Sequence, residues 1–261
     1  TTLIVLSDRF VDDNHIPIPA LLAVSALHHH LIRKGKRHLA GIIVESGEVR
    51  EVMHFATLIG FGASAINPYL AFETIADLKK NNSLPSDLKL DEACDNYITA
   101  MKKGLLKIMS KMGVSTIRSY AGAQIFEIVG INSKIVNNYF PGTPSRIEGI
   151  GLDIIACEAV KRHDTAMAET KIRNLHLVSG GDIHFRSHSL KHTITPESVI
   201  LVQQAVRNND YSIYKKYSAI ADDASKNLCT LRGLFSFKKG KSIPINEVEP
   251  VEEIVKRFYS S

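Results

Sequence analysis

The amino-terminal stretch Leu3-Ile-Val-Leu-Ser-Asp-Arg9 joins an apolar run to a polar turn. An apolar run of this length predicts a buried strand, and the polar residues after it predict a loop at the strand's carboxyl end. Pro19 then stands where many helices begin, and apolar residues recur at helical spacing as far as Gly35, a residue type that commonly ends helices. Strand, loop and helix in this order form a βα unit.

The same order repeats farther along the chain. A second strand is predicted at Leu39-Ala-Gly-Ile-Ile-Val44, a polar loop follows at Glu45-Ser-Gly-Glu48, and residues 52–60 have helical spacing. Ala65-Ile66 begins a third strand, which ends at Asn67-Pro68 because proline interrupts both a helix and a central ladder. Consecutive βα units place their strands in one parallel sheet. The sequence therefore predicts an α/β fold.

Beyond the third strand the pattern predicts three more elements. A long helix covers 93–112 and ends at Gly113. A fourth strand is predicted over 115–119, and a short helix over about 124–129.

The character of the chain changes after Gly151. A helical pattern gives way to a polar, histidine-rich stretch, and Thr195-Pro196-Glu197 then has the hydroxyl cap, proline and acid of a helix start. We predict three segments: an α/β portion over 1–155, a mainly helical segment with a histidine-rich loop over 156–227, and an irregular linker over 228–261.

Composition excludes several classes of protein. The 261 residues carry a net charge of +5, but the lysines are scattered without interleaved aromatic residues, so we expect no nucleic-acid partner. No apolar stretch approaches the ~20 residues that span a bilayer, and no signal peptide is evident. The three cysteines lie far apart in the sequence, which favours a reducing compartment. We expect a cytoplasmic protein without a membrane partner, or a plastid protein if the source is a plant or an alga.

Two groups of histidines have the composition of a metal site without its geometry. His28-His29-His30 falls on a predicted helix, where consecutive side chains point about 100° apart and cannot converge on one ion. The second group falls in a polar stretch with no helical signal and comprises His176, Asp182, His184, His188 and His192. We predict no metal site in this chain.

Glycine pairs offer weak signals of an anion site. Gly149-Ile-Gly151 and Ser179-Gly-Gly181 have the flexibility of phosphate-binding loops. Neither completes a dinucleotide fingerprint or carries a P-loop lysine, so both are interpreted as turns. No cofactor-binding residue is predicted.

Polar residues at the ends of the predicted strands are better placed to bind a ligand. Ser7-Asp8-Arg9 and Glu45-Ser-Gly-Glu48 both fall where α/β proteins collect their ligand groups. One hypothesis is a small enzyme that binds an anionic substrate at Asp8, Arg9 and Glu45. The alternative is that Asp8 and Arg9 pair with each other or cap the next helix.

Segments along nearly the whole chain resemble one family. In the first half they are Ser7-Asp-Arg9, Pro17-Ile-Pro-Ala-Leu-Leu-Ala-Val24, His28-His-His-Leu-Ile-Arg33, Val44-Glu-Ser-Gly-Glu48, His54-Phe55 and Ala65-Ile-Asn-Pro-Tyr-Leu70. In the second half they are Gly104–Gly113, Gly122-Ala-Gln-Ile-Phe-Glu127, Gly142-Thr-Pro-Ser-Arg-Ile147, Gly149-Ile-Gly-Leu-Asp153, Cys229-Thr-Leu-Arg-Gly-Leu234 and 248–258. These segments resemble the central domain of the glutamate synthase large subunit and the linker toward its FMN domain.

The resemblance implies an oxidoreductase that makes two glutamates from glutamine and 2-oxoglutarate, and so assimilates ammonia in amino-acid biosynthesis. A glutaminase domain releases ammonia, a tunnel carries it to an FMN barrel, and electrons arrive through an iron–sulfur cluster. The central domain itself resembles an incomplete FMN-oxidoreductase-type (β/α) barrel.

None of the catalytic or cofactor-binding residues of those domains is expected within these 261 residues. The first residue is Thr1 rather than a nucleophilic cysteine, the cluster cysteines are missing, and the flavin-binding loops are expected beyond Ser261. We predict a catalytically silent portion of the enzyme that links the glutaminase and FMN domains and helps to wall the ammonia tunnel.

The partners implied are those two domains, fused or separate, together with a reductase subunit or ferredoxin. The electron donor, whether NADPH, NADH or ferredoxin, stays open. The candidate interdomain or tunnel contacts lie at predicted strand ends and are Asp8, Arg9, Glu45, Asn67, Tyr69 and Arg146. A stand-alone interaction subunit of a split enzyme remains an alternative.

Overall fold

The computed structural model describes residues 2–171, 180–181, 183–187, 190–227, 230 and 240–258. The chain divides into two compact units, Thr1–Asn174 and Leu175–Ser261.

Three parallel strands form the sheet on which the first unit is built. They are β1 (Thr2–Ser7), β2 (Ala40–Glu45) and β3 (Ala65–Asn67), in the order β1-β2-β3. Val44 of β2 pairs with Leu6 on one side and with Ile66 on the other. The three carboxyl ends therefore meet at one edge of the sheet, as the repeated βα pattern predicts.

Helices α1 (Ala20–Arg33) and α2 (Val52–Gly60) follow β1 and β2. Helix α1 begins one residue after Pro19, and Gly35 adopts a φ of 65° directly beyond its end. The core between sheet and helices is formed by Val24, Ile42, Val44, Val49, Leu58 and Ala63. Both predicted helices are confirmed.

The prediction that β1 is buried is wrong for one face. Leu3 is 65% exposed and Val5 is 56% exposed, whereas Ile42 of β2 is fully buried. The reason is position in the sheet: β1 is an edge strand, and only its alternate residues face the helices.

Two more helices follow β3, α3 (Tyr69–Lys80) and α4 (Leu90–Met112), and α4 packs against both α2 and α3. Helix α4 ends at Gly113, which is left-handed with a φ of 71°, as predicted. A Cβ on Gly104 of α4 would lie 2.4 Å from Val52 Cγ2, so this glycine permits the close approach of α2 and α4.

Two predictions between residues 115 and 131 are wrong. The segment predicted as a fourth strand contains a single helical turn, α5 (Ile117–Tyr120), whose cap is the Thr116 hydroxyl accepting from Ser119 N at 3.2 Å. The segment predicted as a helix includes Gln124 with a φ of 55°, a value that no α-helix contains, and leads into strand β4 (Ile128–Ile131). Short apolar runs do not distinguish strand from helix, and backbone geometry decides here.

Strand β4 pairs in parallel with β5 (Ser145–Ile150), forming a second sheet. Between them lies α6 (Ser133–Tyr139), and after them comes α7 (Leu152–Lys171). A second core, built on Phe61, Ile135, Val136 and Phe140, joins this region to α1. The helical pattern after Gly151 is confirmed, whereas α6 and β5 carry sequence signals too short to predict.

The described part of the second unit contains helices and irregular segments. It contains α8 (Pro196–Asn208), α9 (Tyr211–Asn227) and, within the predicted linker, α10 (Val251–Arg257). The predicted start of α8 is confirmed, because the Thr195 hydroxyl accepts from Ser198 N at 3.2 Å and Pro196 is the first helical residue. The class is thus α/β with short parallel sheets.

The described helices include none whose length and hydrophobicity together would suffice to cross a membrane.

Candidate functional site

A polar cluster occupies the carboxyl edge of the β1-β2-β3 sheet. Asp8 and Arg9 follow β1, Glu45 ends β2, Asn67 ends β3, and Tyr69 opens α3. Parallel strands bring these positions together, because their carboxyl ends lie side by side. Five of the six predicted contact residues are therefore neighbours.

Asp8 holds the loop that follows β2. Its Oδ2 accepts a 2.6 Å hydrogen bond from the Ser46 hydroxyl, and its Oδ1 accepts a 3.0 Å hydrogen bond from Gly47 N. Ser46 is 2% exposed, so the hydrogen of its hydroxyl depends on this carboxylate for an acceptor. Tyr69 also donates to Asp8; burial and then this hydrogen bond raise the pKa of Tyr69 to about 12.

Arg9 ties the neighbouring strand and helix together. Its Nε lies 3.1 Å from Glu45 Oε1, its Nη1 lies 3.2 Å from Glu73 Oε1, and its guanidinium stacks 4.1 Å from the centre of the Tyr69 ring. The hydrogen bond to Glu45 raises the pKa of Arg9. The alternative in which Asp8 and Arg9 pair with each other is wrong, because each engages different groups.

Glu45 receives three hydrogen bonds. The Ser7 hydroxyl donates to Oε2 at 2.7 Å, while Arg9 and Asn67 Nδ2 donate to Oε1, the latter at 3.2 Å. The Ser7 hydroxyl and then Arg9 lower the pKa of Glu45. A carboxylate held ionised in this way orders the edge of the sheet and has no proton to give.

Glu48 completes the cluster and caps α1, although it lies 28 residues beyond Ala20 in the sequence. Its Oε2 accepts a 2.8 Å hydrogen bond from Ala20 N, an amide in the first turn that has no partner within the helix. The loop after β2 thus fixes the start of the helix after β1.

A cavity of about 290 Å³ adjoins this cluster and is called the edge cavity below. Leu6, Ala23 and Val44 give it apolar walls, and Asp8 and Glu45 lie at its polar side. Residues of the segment after Arg9 complete the lining: Phe10, Val11, His15, Ile16, Pro17 and Ile18. A cavity of this size admits a small molecule.

The sixth predicted residue lies elsewhere. Arg146 is in strand β5 rather than in a loop, its side chain is 86% exposed, and its Nε lies 3.8 Å from Glu127 Oε1. It does not join the carboxyl-edge cluster. Arg146 is the second residue of β5, so it lies near the beginning of a strand and not at a carboxyl end.

His28 and His192, one from each histidine group, make individual hydrogen bonds. In α1, His28 accepts at Nδ1 a 2.8 Å hydrogen bond from Arg37 Nε, and burial lowers the pKa of His28 to about 4. His192 Nε2 lies 2.5 Å from Gly181 O, while His176, Asp182 and His188 lie outside the described residues. Within the described part of the chain, no three His, Cys, Asp or Glu side chains are arranged to hold a metal ion.

Sequence reasoning missed two members of the cluster. Ser46 appeared only as part of a polar loop, and its buried hydroxyl has no signature in the sequence. Glu73 lies within α3, 64 residues from Arg9, and only its helical position beside Tyr69 brings it near. Both partners are long-range contacts that a local pattern does not encode.

Comparison with known proteins identifies the family. The model of the glutamate synthase central domain matches residues 1–132, the part of the chain that carries the sheet and the cluster. This chain belongs to the glutamate synthase family. The resemblance found in the sequence is thereby confirmed.

Relatives in the family align with nearly all of the chain. The NADPH glutamate synthase large chain of Bacillus subtilis (strain 168) is 46% identical over 258 residues, which cover 98% of this chain and 17% of the relative. The NADH glutamate synthase of Schizosaccharomyces pombe is 40% identical over 258 residues, 98% of this chain and 12% of the relative. The ferredoxin-dependent glutamate synthase of Pyropia yezoensis is 40% identical over 268 residues, with coverage of 98% and 17%. The chain thus spans between about an eighth and a sixth of these relatives.

Proposed function

We propose that this chain is a structural portion of a glutamate synthase, an oxidoreductase that forms two glutamates from glutamine and 2-oxoglutarate by reductive amidotransfer. In this proposal the chain joins a glutaminase domain to an FMN domain and has no catalytic residue of its own. Identity of 37–46% with glutamate synthases over at least 98% of the chain supports the assignment.

The observation that carries the structural role is the pairing within the carboxyl-edge cluster. Asp8 binds Ser46 and Gly47, and Arg9 is held between Glu45 and Glu73. Groups that satisfy one another form a rigid surface, whereas a reactive site presents groups free to bind substrate. We propose that this surface and the edge cavity form part of the wall of an ammonia path.

A path for neutral ammonia needs rigid, largely apolar walls that exclude water. Leu6, Ala23 and Val44 provide such walls in the edge cavity. Tyr69 and Asn67 donate hydrogen bonds to Asp8 and Glu45, which lie at the polar side of the cavity. Arg146, exposed on β5, is proposed as a separate contact with a neighbouring domain. The barrel-like arrangement implied by the resemblance belongs to this proposal too, since further strands would complete the short sheets.

The cofactors of the whole enzyme are proposed to be FMN and an iron–sulfur cluster, both outside this chain. Cys94 lies half-buried on α4 and Cys157 lies exposed on α7, and these thiols form no cluster ligand set with other described residues. The proposed partners are the glutaminase and FMN domains and an electron donor, either a nicotinamide-dependent reductase subunit or ferredoxin. We propose a cytoplasmic location, or a plastid location in a plant or an alga.

A small enzyme that binds an anion at Asp8, Arg9 and Glu45 is the competing proposal. An anion would have to displace two carboxylates from Arg9, which the observed pairing disfavours. Saturable thermal stabilisation by small carboxylates or phosphates, lost on Arg9→Gln, would support the enzyme. A stand-alone subunit would instead co-purify with separate glutaminase and flavin polypeptides.

The decisive experiment is made in the whole enzyme. Tyr69→Ala removes the ring under Arg9 and the hydroxyl beside Asp8, so glutamine-dependent synthesis should fall about tenfold while ammonia-dependent synthesis is spared. Glu92→Ala, at an exposed position on α4, serves as the control. Equal loss of both activities in the Tyr69 variant would contradict the proposed wall.

A further inference from the structure

Residues 10–18, called the strap, run over the edge cavity between two fixed ends. At the first end, Asp8 is bonded to Ser46 and Gly47; at the second, Ala20 N is bonded to Glu48. The strap supplies six of the residues that line the cavity, from Phe10 to Ile18. Its position therefore sets how open the cavity is.

The middle of the strap is folded on itself and also reaches α7. Asp12 Oδ1 accepts from Asn14 N at 2.8 Å and from His15 N at 2.9 Å, which closes a tight turn. The backbone oxygen of Asp12 lies 2.7 Å from Nε2 of His163, a residue of α7 that is 151 positions away. Because a carbonyl oxygen only accepts, Nε2 carries the proton and donates.

His163 is unusual for its helix. Most described side chains of α7 are exposed, including Leu152, Ile154 and Val160, whereas the His163 side chain is only 5% exposed. A helix ordinarily buries an apolar stripe, so a buried histidine indicates a specific polar contact.

The two ring nitrogens of His163 differ in their hydrogen bonding. Nδ1 of His163 is buried and has no hydrogen-bond partner within the described structure; Asp164 Oδ1, at 3.6 Å, is too distant to accept. Within the described structure, the buried imidazole of His163 therefore makes one hydrogen bond, and that bond is to the strap. Burying a polar nitrogen without a partner costs free energy, and the hydrogen bond to the strap and the packing of the ring are what offset this cost.

We infer that His163 is a positioning residue that holds the strap closed over the edge cavity. Movement of α7 would then be transmitted through Nε2 of His163 and the backbone oxygen of Asp12 to the cavity mouth. This inference concerns access to the cavity and does not depend on what the cavity carries.

The test measures access from the inside of the cavity. In the full 261-residue chain, Ala23→Cys places a thiol on the cavity wall, and its labelling by a small uncharged methanethiosulfonate is followed by peptide mass spectrometry. Native Cys94, half-buried on α4, is labelled in the same sample and reports on general loosening.

A matched pair of substitutions separates the hydrogen bond from polarity. His163→Gln places an amide near the position of Nε2 and keeps the bond, whereas the shorter amide of His163→Asn does not reach Asp12. Labelling at position 23 should rise about tenfold in His163→Asn, the change expected for one lost hydrogen bond, and stay within about twofold in His163→Gln. Cys94 labelling should not change in either variant.

Three results would overturn the inference. One is an unchanged rate at position 23 in His163→Asn; another is an equal rise in the Gln and Asn variants. The third is a parallel rise at Cys94, which would mean that the unit as a whole has loosened. Faster hydrogen exchange at the Asn14 and His15 amides in His163→Asn alone would support the inference independently; equal exchange in both variants would contradict it.

Discussion

The hydroxyl of Ser46 lies 2.6 Å from Oδ2 of Asp8, and this contact joins the loop after β1 to the loop after β2. Both loops begin where a parallel strand ends, so the contact locks the carboxyl edge of the sheet. The cluster around Arg9 and the mouth of the edge cavity are built upon it.

Asp8→Ala should lower the free energy of unfolding by about 2 kcal/mol, because the Ser46 hydroxyl and Gly47 N would lose the acceptor of their donated hydrogen bonds. Urea denaturation followed by circular dichroism measures the change. Asp95→Ala, at an exposed position on α4, is the control and should change stability by less than about 0.5 kcal/mol. A loss at Asp8 no larger than the control's would show that the contact does not stabilise the edge.

Two glycines with positive φ make a matched pair. At Gly35, with a φ of 65°, an added Cβ meets nothing within 4 Å; at Gly62, with a φ of 114°, it would lie 2.2 Å from His28 Nδ1. Gly35→Ala should therefore cost about 1 kcal/mol from backbone strain alone, and Gly62→Ala about 3 kcal/mol from strain and overpacking together. Denaturation midpoints of the two variants give the comparison. Equal costs would mean that the His28 ring moves aside freely.

His28 makes stability depend on pH. Burial, and then the charge of Arg37, lower the pKa of His28 to about 4 from an ordinary value of 6.5. The unfolded chain therefore binds the proton first, so the stability that neutral His28 contributes is complete above pH 6.5 and declines as the pH falls toward 4. Because the ring is only about half buried, we expect a loss of about 1–2 kcal/mol.

The measurement for His28 is urea denaturation at pH 7 and at pH 5 for the wild type and for His28→Gln. The difference between the two pH values should be smaller in His28→Gln, since glutamine does not titrate. His30→Gln, at an exposed position on the same helix, should retain the wild-type difference. The same pH dependence in all three proteins would exclude His28 as its source.

Tyr120 closes the interface between α2 and α5. It is fully buried, and its hydroxyl donates to the backbone oxygen of Ala56 at 3.1 Å. Tyr120→Phe should lower the free energy of unfolding by about 1 kcal/mol, because it removes one hydrogen bond. Tyr120→Ala should lower it by about 4 kcal/mol, because this change also opens a cavity. Calorimetry distinguishes the two, and Tyr211→Phe, at a position 69% exposed, should change little. A Phe variant as damaging as the Ala variant would mean that the hydrogen bond, not packing, dominates.

Local sequence predicted helices and strands correctly where the residues at their ends mark the boundaries. The start of α8 at Thr195-Pro196, the end of α4 at Gly113 and the three strands of the first sheet are examples. It failed over 115–131, where apolar runs are only a few residues long. There the positive φ of Gln124 and the pairing of β4 with β5 decide the outcome, and neither has a local signature.

In the candidate site, too, the sequence predicted some features and missed others. The sequence placed Asp8, Arg9, Glu45, Asn67 and Tyr69 at one edge, because residues after parallel strands necessarily meet there. It did not reveal that Arg9 binds Glu73, that Ser46 is buried against Asp8, or that His163 reaches Asp12.

The amino-acid order therefore determined the repeated βα units, the helix ends and the family, since these depend on hydrophobic period, capping residues and motifs that are local along the chain. Only the tertiary structure decided that Arg146 stands apart from the cluster, that Arg9 pairs with both Glu45 and Glu73, and that a strap borders the edge cavity. Such contacts join residues that are dozens of positions apart, and their geometry exists only once the units have packed together.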